Sequence, residues 1–435
     1  MDSGRLEKME VDFSATVDEL IPTVMELAKN GQIENALEQC STLEKQTRMA
    51  SDAISTGRLL ETMVEILATN GQWEQLNQHL ESMTKKRNQL KQAVTKMVQK
   101  CMSYLDSTPD EACKLALIAS LRRVTEGKIY VEVERARLTK ELARIREIHG
   151  QIDEAASVLQ ELQVETYGSM DKKEKVEFML EQIRLGLAKK DLVKTQIISR
   201  KISPKFFNDE AHEELKLKYY RLMIELSLQQ SQYLNVSKHY WEVYNTPSIQ
   251  ADEEKKLLAL RHSVAYLVLA SYDNEQHDLM HRRILVKDLE KIPAYLLLRW
   301  DEFCAKYEPA LRSETNVFSD DKLPDEAAKR WNDLRSRVIE RNIRVIAGYY
   351  TRLRLKRMAE LLELDLEQSE KYLSESVVNK TVSAKIDRLE GIVHFVETKT
   401  PTEILNDWSN NTKCLMNLIN QATHLINKER VLHSL

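Results

Sequence analysis

The hydrophobic positions between residues 344 and 397 follow two different periods, and each period predicts a different element. In the first part they recur every three or four residues, which is the spacing of one buried face on a helix. A first helix would bury Leu355, Met358, Ala359 and Leu362. Asp365 is placed to act as the N-cap of a second helix, with Gln368 completing a capping box. This second helix would bury Leu366, Leu373 and Val377.

From Val382 onwards the period changes to two, which is the alternation of a strand with one buried face. Residues 388–391 predict a turn, and residues 392–396 predict the partner strand of a β-hairpin. Two short helices followed by a hairpin are the order of a winged helix. We expect residues 392–396 to form an unpaired edge that pairs with a neighbouring chain. The hairpin residues expected to bind a partner are Val382, Ile386, Ile392, Val393 and Phe395.

Ahead of this segment, one short turn sequence recurs at a spacing of about 40 residues. It reads KNGQIENA at 29–36, TNGQWEQL at 69–76 and HGQIDEA at 149–155, with a weaker copy at 189–192. A further turn is predicted at Thr108, as the N-cap of a helix with Pro109 in its first position. The spacing is typical of helical hairpins that stack into an α-solenoid.

One repeat shows why stacking is needed. Gly150 is expected to end a helix in the left-handed conformation that glycine adopts without strain. The preceding helix would bury Leu138, Leu142 and Ile145, and the following helix would bury Ala155, Val158, Leu159 and Leu162. A single hairpin still leaves apolar surface in water, so neighbouring hairpins must cover it.

The last predicted helix, from Pro401 to about Glu429, has an apolar face wider than one partner helix would cover. Thr400 and Glu403 are placed for a capping box at its start. We expect this helix to join a multi-helix bundle with other chains; the alternative is that it folds back on its own domain. The residues expected to bind a partner are Trp408, Leu415, Leu418, Ile419, Leu425 and Ile426.

The charge balance argues against nucleic acid and membranes as partners. The net charge is −4 over 435 residues, so no global field attracts a polyanion. The helix that would enter a DNA groove carries Glu367, Glu370 and Glu375 against the single cation Lys371. No apolar run is long enough to span a bilayer. The N-terminal sequence predicts neither a signal peptide nor a myristoyl anchor.

No catalytic site, cofactor or metal is predicted. His277 and His281 lie at the spacing of a zinc-binding helix turn, but Asp278 replaces the glutamate of that motif and no third ligand follows. The sequence contains no glycine-rich phosphate-binding motif. The cysteines predict small buried residues in a reducing compartment, without disulfides or zinc. They are Cys40, Cys101, Cys113, Cys304 and Cys414.

Helical repeats that lead into a winged helix resemble the PCI family, the scaffold subunits of the proteasome lid, the signalosome and a translation-initiation factor complex. The similarity is carried by long segments such as VTEGKIYVEVERARLTKELA at 124–143, NIRVIAGYYTRLRLKRMAELL at 342–362 and VVNKTVSAKIDRLEGIV at 377–393. It covers nearly the whole chain and points to the lid members. The sequence departs from the family at residues 294–298, where only AYLLL stands in place of a further helical stretch.

The resemblance implies an all-α fold in which an α-solenoid of helical hairpins precedes a PCI-type winged helix with a small β-hairpin and a C-terminal bundle helix. Turn-rich interruptions suggest boundaries that divide the chain into a solenoid at 1–202 and further helical repeats of the PCI module at 203–312. A loop, linker helix and winged helix follow at 313–399, and the bundle helix occupies 400–435. Residues 313–322 are expected to form a mobile loop.

The resemblance also implies a function. It suggests a non-catalytic scaffold subunit of the proteasome regulatory-particle lid, in cytoplasm and nucleus, that supports ATP-dependent degradation of ubiquitinated proteins. The implied partners are other PCI lid subunits and the deubiquitinating lid subunit, with the ATPase ring and core particle as further candidates. Two alternatives stay open: a scaffold of another PCI complex, and a free-standing solenoid adaptor that grips short peptides.

Overall fold

The computed structural model describes residues 12–284, 300, 304, 308–309, 311–312, 317–318, 324–395 and 401–433. Most of these residues are helical and one small sheet is present, which confirms the predicted fold class. The chain divides into two compact units, residues 1–230 and 231–435. The finer domain boundaries given above stay predictions. The segment that departs from the PCI family, residues 294–298, lies outside the described residues.

The first unit is built from helices joined by short turns. Its α-helices are Ser14–Lys29 (α1), Ile33–Met49 (α2), Ala53–Thr69 (α3), Trp73–Lys85 (α4), Lys91–Ser103 (α5), Glu111–Thr125 (α6), Glu132–Ile148 (α7), Ile152–Gln160 (α8), Lys172–Ala188 (α9), Leu192–Lys201 (α10) and Glu213–Gln229 (α11). Short 3-10 helices occupy Leu105–Ser107, Ile129–Val131, Val164–Thr166, Pro204–Asn208 and Glu210–His212.

The recurring turn sequence has the same backbone geometry at each copy. Gly31, Gly71 and Gly150 have φ of 80°, 69° and 77°, and Lys190 in the weaker copy has φ of 63°. At Gly71 the N–H donates to Ala68 O at 3.1 Å, and the next N–H donates to Leu67 O at 3.0 Å. This pair of bonds is a Schellman motif, which satisfies carbonyls left open at a helix end. The predicted repeat of helical hairpins is therefore confirmed.

The core of the hairpin formed by α7 and α8 also agrees with the pattern. The predicted core residues are buried, with Val158 partly buried against them. The prediction at Thr108 is wrong, because α6 begins at Glu111 with Asp110 in the N-cap position. Thr108 Oγ1 instead donates to Leu105 O at 2.9 Å and so closes the preceding 3-10 turn.

The second unit continues with helices and ends in a small domain. Its fully described α-helices are Tyr233–Tyr244 (α12), Pro247–Gln250 (α13), Glu253–Leu269 (α14), Asn274–Ile284 (α15), Pro324–Tyr349 (α16), Leu355–Leu362 (α17), Leu366–Val378 (α18) and Pro401–His433 (α19). Its strands are Arg352–Arg354 (β1), Ala384–Asp387 (β2) and Ile392–Phe395 (β3). They form an antiparallel sheet in the order β1-β3-β2.

Part of the segment predicted as a mobile loop is packed. Val317 and Phe318 are buried, and the Phe318 ring meets the Trp331 ring edge-on at a centroid distance of 5.5 Å. Arg330 Nη1 donates to Val317 O at 2.9 Å. The expectation of mobility is wrong for these two residues because both dock on α16. The rest of 313–322 lies outside the described residues.

Candidate protein-association sites

The winged helix has a core of its own, and that core contains three residues expected to bind a partner. The face of α17 predicted to be buried is buried, and it packs with Leu373 of α18. Val382, Val393 and Phe395 lie in the same cluster. Their assignment to a partner surface is wrong, because α16, α17 and α18 already cover the apolar face of the sheet. Ile386 and Ile392 are only half-buried and keep part of their surface.

The expected free edge of the hairpin is also in a different place. β3 is the central strand, with Leu353 of β1 opposite Val393 on one side and Ile386 of β2 on the other. Residues 392–395 therefore do not form an unpaired edge, and Val396 of the predicted strand lies outside the described residues. Each of β1 and β2 has one neighbour in the described sheet, so the strand edges open to another chain belong to β1 and β2.

The helix α18 differs in detail from its sequence pattern. Asp365 occupies the N-cap position but its side chain makes no capping hydrogen bond, so the predicted capping box does not form. Leu366 is exposed and Val377 is half-buried. The side chains that turn inward around Leu373 are instead Ser369 and Ser376. Small residues at these positions let α18 pack closely against its neighbours.

Charged side chains line an open cleft of about 720 Å³ beside α18. Arg337 donates to Glu340 at 2.7 Å, and Arg388 Nε of the hairpin turn donates to Glu370 at 2.7 Å. Glu367 and Glu375 are exposed near the single cation of this helix, Lys371. The cleft thus brings together ion pairs between side chains of this chain.

The terminal helix α19 exposes its whole apolar face. Every side chain described from Thr402 to Val431 is exposed. The residues predicted to bind a partner have exposed fractions of 69% (Trp408), 57% (Leu415), 58% (Leu418), 49% (Ile419), 60% (Leu425) and 60% (Ile426). None of these described side chains is buried against its own domain. It ends one turn beyond the predicted Glu429, and Thr400 of the predicted capping box lies outside the described residues.

Candidate chemistry elsewhere is limited. The rings of His277 and His281 stand 4.4 Å apart on an exposed helix face, and the described residues contain no cluster suited to a metal ion. Cys40 and Cys101 are buried as expected, and burial raises the pKa of the Cys40 thiol to about 12, which makes it a poor nucleophile. Cys414 is exposed on α19, contrary to expectation. Within the described ranges, no helix combines the length and apolar character needed to cross a membrane.

Three protein-family models match successive parts of the chain. A family model described as PSMD12/CSN4, N-terminal, covers residues 35–252, and the PCI domain model covers residues 301–397. A third model, the C-terminal domain of the 26S proteasome regulatory subunit RPN5, covers residues 402–434 and so coincides with α19.

Relatives match along almost the full length. The 26S proteasome non-ATPase regulatory subunit 12 of Dictyostelium discoideum is 39% identical over 99% of this chain and 97% of its own. The chain belongs to this family, the PSMD12/RPN5 regulatory subunits of the 26S proteasome. RPN5 of Saccharomyces cerevisiae is 41% identical over 98% of both chains. The 26S proteasome non-ATPase regulatory subunit 12 homolog A of Arabidopsis thaliana is 38% identical over 94% of this chain and 99% of its own. The PCI resemblance is therefore confirmed. The structure shows a PSMD12/RPN5 chain with helical repeats, a winged helix and a terminal helix.

Proposed function

We propose that this chain is a non-catalytic scaffold subunit of the proteasome regulatory-particle lid, acting in cytoplasm and nucleus to support ATP-dependent degradation of ubiquitinated proteins. The observation that carries the proposal is the exposed apolar face of α19, in a segment for which the family has its own model. The names of the relatives, non-ATPase regulatory subunits of the 26S proteasome, support a place in that proteasome.

The exposed face of α19 needs a cover in water. Transfer of a large aliphatic side chain from water to a packed interior contributes about 1.5–3 kcal/mol. Leu415, Leu418 and Leu425 lie along one seam of the helix and leave more than half of their surface in solvent. Several partner helices from other subunits would bury this seam together with the stripe of Ile419 and Ile426.

The remaining surfaces suggest further contacts. The open edges of β1 and β2 could extend the sheet with the winged helix of a neighbouring subunit, which supports other PCI lid subunits as proposed partners on this side. We propose that the deubiquitinating lid subunit is one of the chains whose helices pack on α19. We propose that the solenoid of the first unit contacts the ATPase ring or the core particle.

The mass of the native complex tests this function. A tagged chain from a cell extract would be separated by size-exclusion chromatography, and its co-purifying proteins identified by mass spectrometry. We expect elution in a megadalton assembly together with proteasome ATPases and PCI subunits. Elution as a free chain would favour the peptide-binding adaptor. Co-elution with a different PCI complex would favour the alternative that the shared PSMD12/CSN4 model allows.

A further inference from the structure

A strongly basic stretch stands out in the first unit, whose other residues carry a net negative charge. Residues 82–105 contain no acidic residue, although the chain as a whole has a net charge of −4. The cations of this stretch are Lys85, Lys86, Arg87, Lys91, Lys96 and Lys100. Four of them fall within residues 85–91, which join α4 to α5 and are called the basic loop below.

Only part of the positive charge of the basic loop is neutralised. Lys86 Nζ lies 3.0 Å from the buried carboxylate of Glu44. Lys85 Nζ lies 3.6 Å from Glu81, which Arg123 approaches more closely at 3.0 Å. Arg87 and Lys91 are exposed, and within the described part of the chain no carboxylate lies at ion-pair distance from either. Unpaired cations that lie together repel one another and favour an anionic partner.

An exposed apolar pair flanks the turn after Arg48, a residue that is hydrogen-bonded to the basic loop. Arg48, in the last turn of α2, donates a hydrogen bond through Nη1 to the backbone oxygen of Arg87. Met49, the last residue of α2, and Ile54, in the first turn of α3, flank the turn that follows Arg48, and their exposed fractions are 62% and 61%. These two apolar residues and the cations Lys85, Arg87 and Lys91, which the hydrogen bond between Arg48 and Arg87 links, are together called the basic–apolar patch.

We propose that the basic–apolar patch binds an acidic segment of another protein subunit, one that carries an apolar side chain beside its carboxylates. The carboxylates would pair with Arg87 and Lys91, and the apolar side chain would cover Met49 and Ile54. The inference rests on the proposed scaffold function and deepens it, because it assigns a partner chemistry to the first unit.

The composition of the patch favours a protein over nucleic acid. The basic loop, KKRNQLK, has no aromatic side chain on which a base could stack. A phosphate backbone offers no apolar group that could bury the exposed methionine and isoleucine. An acidic protein segment can carry an apolar side chain that does so. Charge complementarity of this kind gives specificity and accelerates association.

Photo-crosslinking in the assembled complex tests the proposal. The full chain, with a photo-reactive amino acid at Asn88 of the basic loop, replaces the endogenous chain in cells, and crosslinked peptides are identified by mass spectrometry. We expect crosslinks to a segment of one neighbouring subunit rich in Asp and Glu. The variant Arg87→Glu with Lys91→Glu should lower the crosslink yield about tenfold. The matched control, Lys172→Glu with Lys173→Glu on the exposed start of α9, should leave the yield unchanged.

The outcomes separate this proposal from the scaffold function. A chain that never enters a large assembly contradicts the scaffold function itself. A chain that assembles normally but crosslinks to a segment without excess acid, or with a yield that charge reversal does not change, overturns the patch alone. Tighter binding of the full chain to a 20-base-pair DNA duplex than to a fluorescent Glu- and Leu-rich peptide, at about 0.15 M salt, would also overturn it.

Discussion

In the winged helix, Met358, Leu373 and Val393 have no surface left in solvent, whereas in α19 Leu415, Leu418 and Leu425 each keep more than half of theirs. Both regions lie in the second unit, and their helices carry apolar side chains at helical spacing. The winged helix covers its apolar face with α16, α17, α18 and a sheet. The helix α19 has 33 residues, and all of its side chains described from Thr402 to Val431 are exposed.

The difference teaches where each region obtains its stability. A closed core contributes to the folding of the chain itself, so changes there alter the free energy of unfolding. An exposed seam contributes only when a partner buries it, so changes there alter assembly instead. Under the proposed function, the winged helix serves folding and α19 serves association with other subunits.

The largest effect is expected from Val393→Pro in the central strand. Proline removes a ladder N–H from a strand paired on both sides, and it replaces a completely buried side chain. The free energy of unfolding of the winged helix should fall by at least about 4 kcal/mol. Hydrogen exchange of the β3 amides measures this loss. Leu389→Ala, at a fully exposed turn position, is the control, and slow β3 exchange in Val393→Pro would contradict the sheet order described here.

A matched pair of leucine truncations sharpens the comparison. Leu373→Ala in the winged-helix core should cost about 3 kcal/mol of unfolding free energy, because a buried leucine leaves a cavity. Leu418→Ala in α19 should change the stability of the free chain by less than about 0.5 kcal/mol, because the side chain is exposed. Denaturant unfolding of the isolated chain, followed by local probes, compares the two. Equal losses would mean that α19 packs on its own domain.

The contrast between the two regions explains which features of the structure could be predicted from the sequence. The spacing of apolar residues predicted which side chains of α17 are buried, and the glycine turns predicted the repeated hairpins. Spacing does not say what covers an apolar face. Val382, Val393 and Phe395 therefore looked like partner residues when their own domain buries them.

Local signals were also too weak in places. The strand β1 has three residues and only Leu353 is apolar, so no period was available to predict it or to show that β3 is central. In α18, the close packing of Ser369 and Ser376 has no hydrophobic signature, and the pattern placed Leu366 inside instead.

A smaller effect is expected from acid in the packed part of the second unit. Burial in α12, reinforced by Lys238, lowers the pKa of His239 to about 4 from an ordinary value of about 6.5. In that range the unfolded chain binds a proton that the folded chain does not. The free energy of unfolding should therefore fall as the pH drops from 6.5 towards 4, by about 2 kcal/mol at pH 5.

Thermal unfolding between pH 7 and pH 4.5 measures this dependence. His239→Gln should reduce the loss of stability in this range, since glutamine does not titrate. An unchanged pH profile in the variant would show that burial of His239 is not the cause.

Incorporation into the native complex tests the central claim, that α19 is an association seam and not part of a folded core. The variant Leu415→Asp with Leu418→Asp places two charges in the seam, and Asn410→Asp with Asn417→Asp places two on the opposite face as the matched control. Size-exclusion chromatography of tagged chains measures the assembled fraction, and circular dichroism measures helicity. We expect the seam variant to lose at least about tenfold in assembled fraction with unchanged helicity, and the control to assemble normally. Normal incorporation of the seam variant would contradict the claim, as would a loss of helicity throughout its free chain.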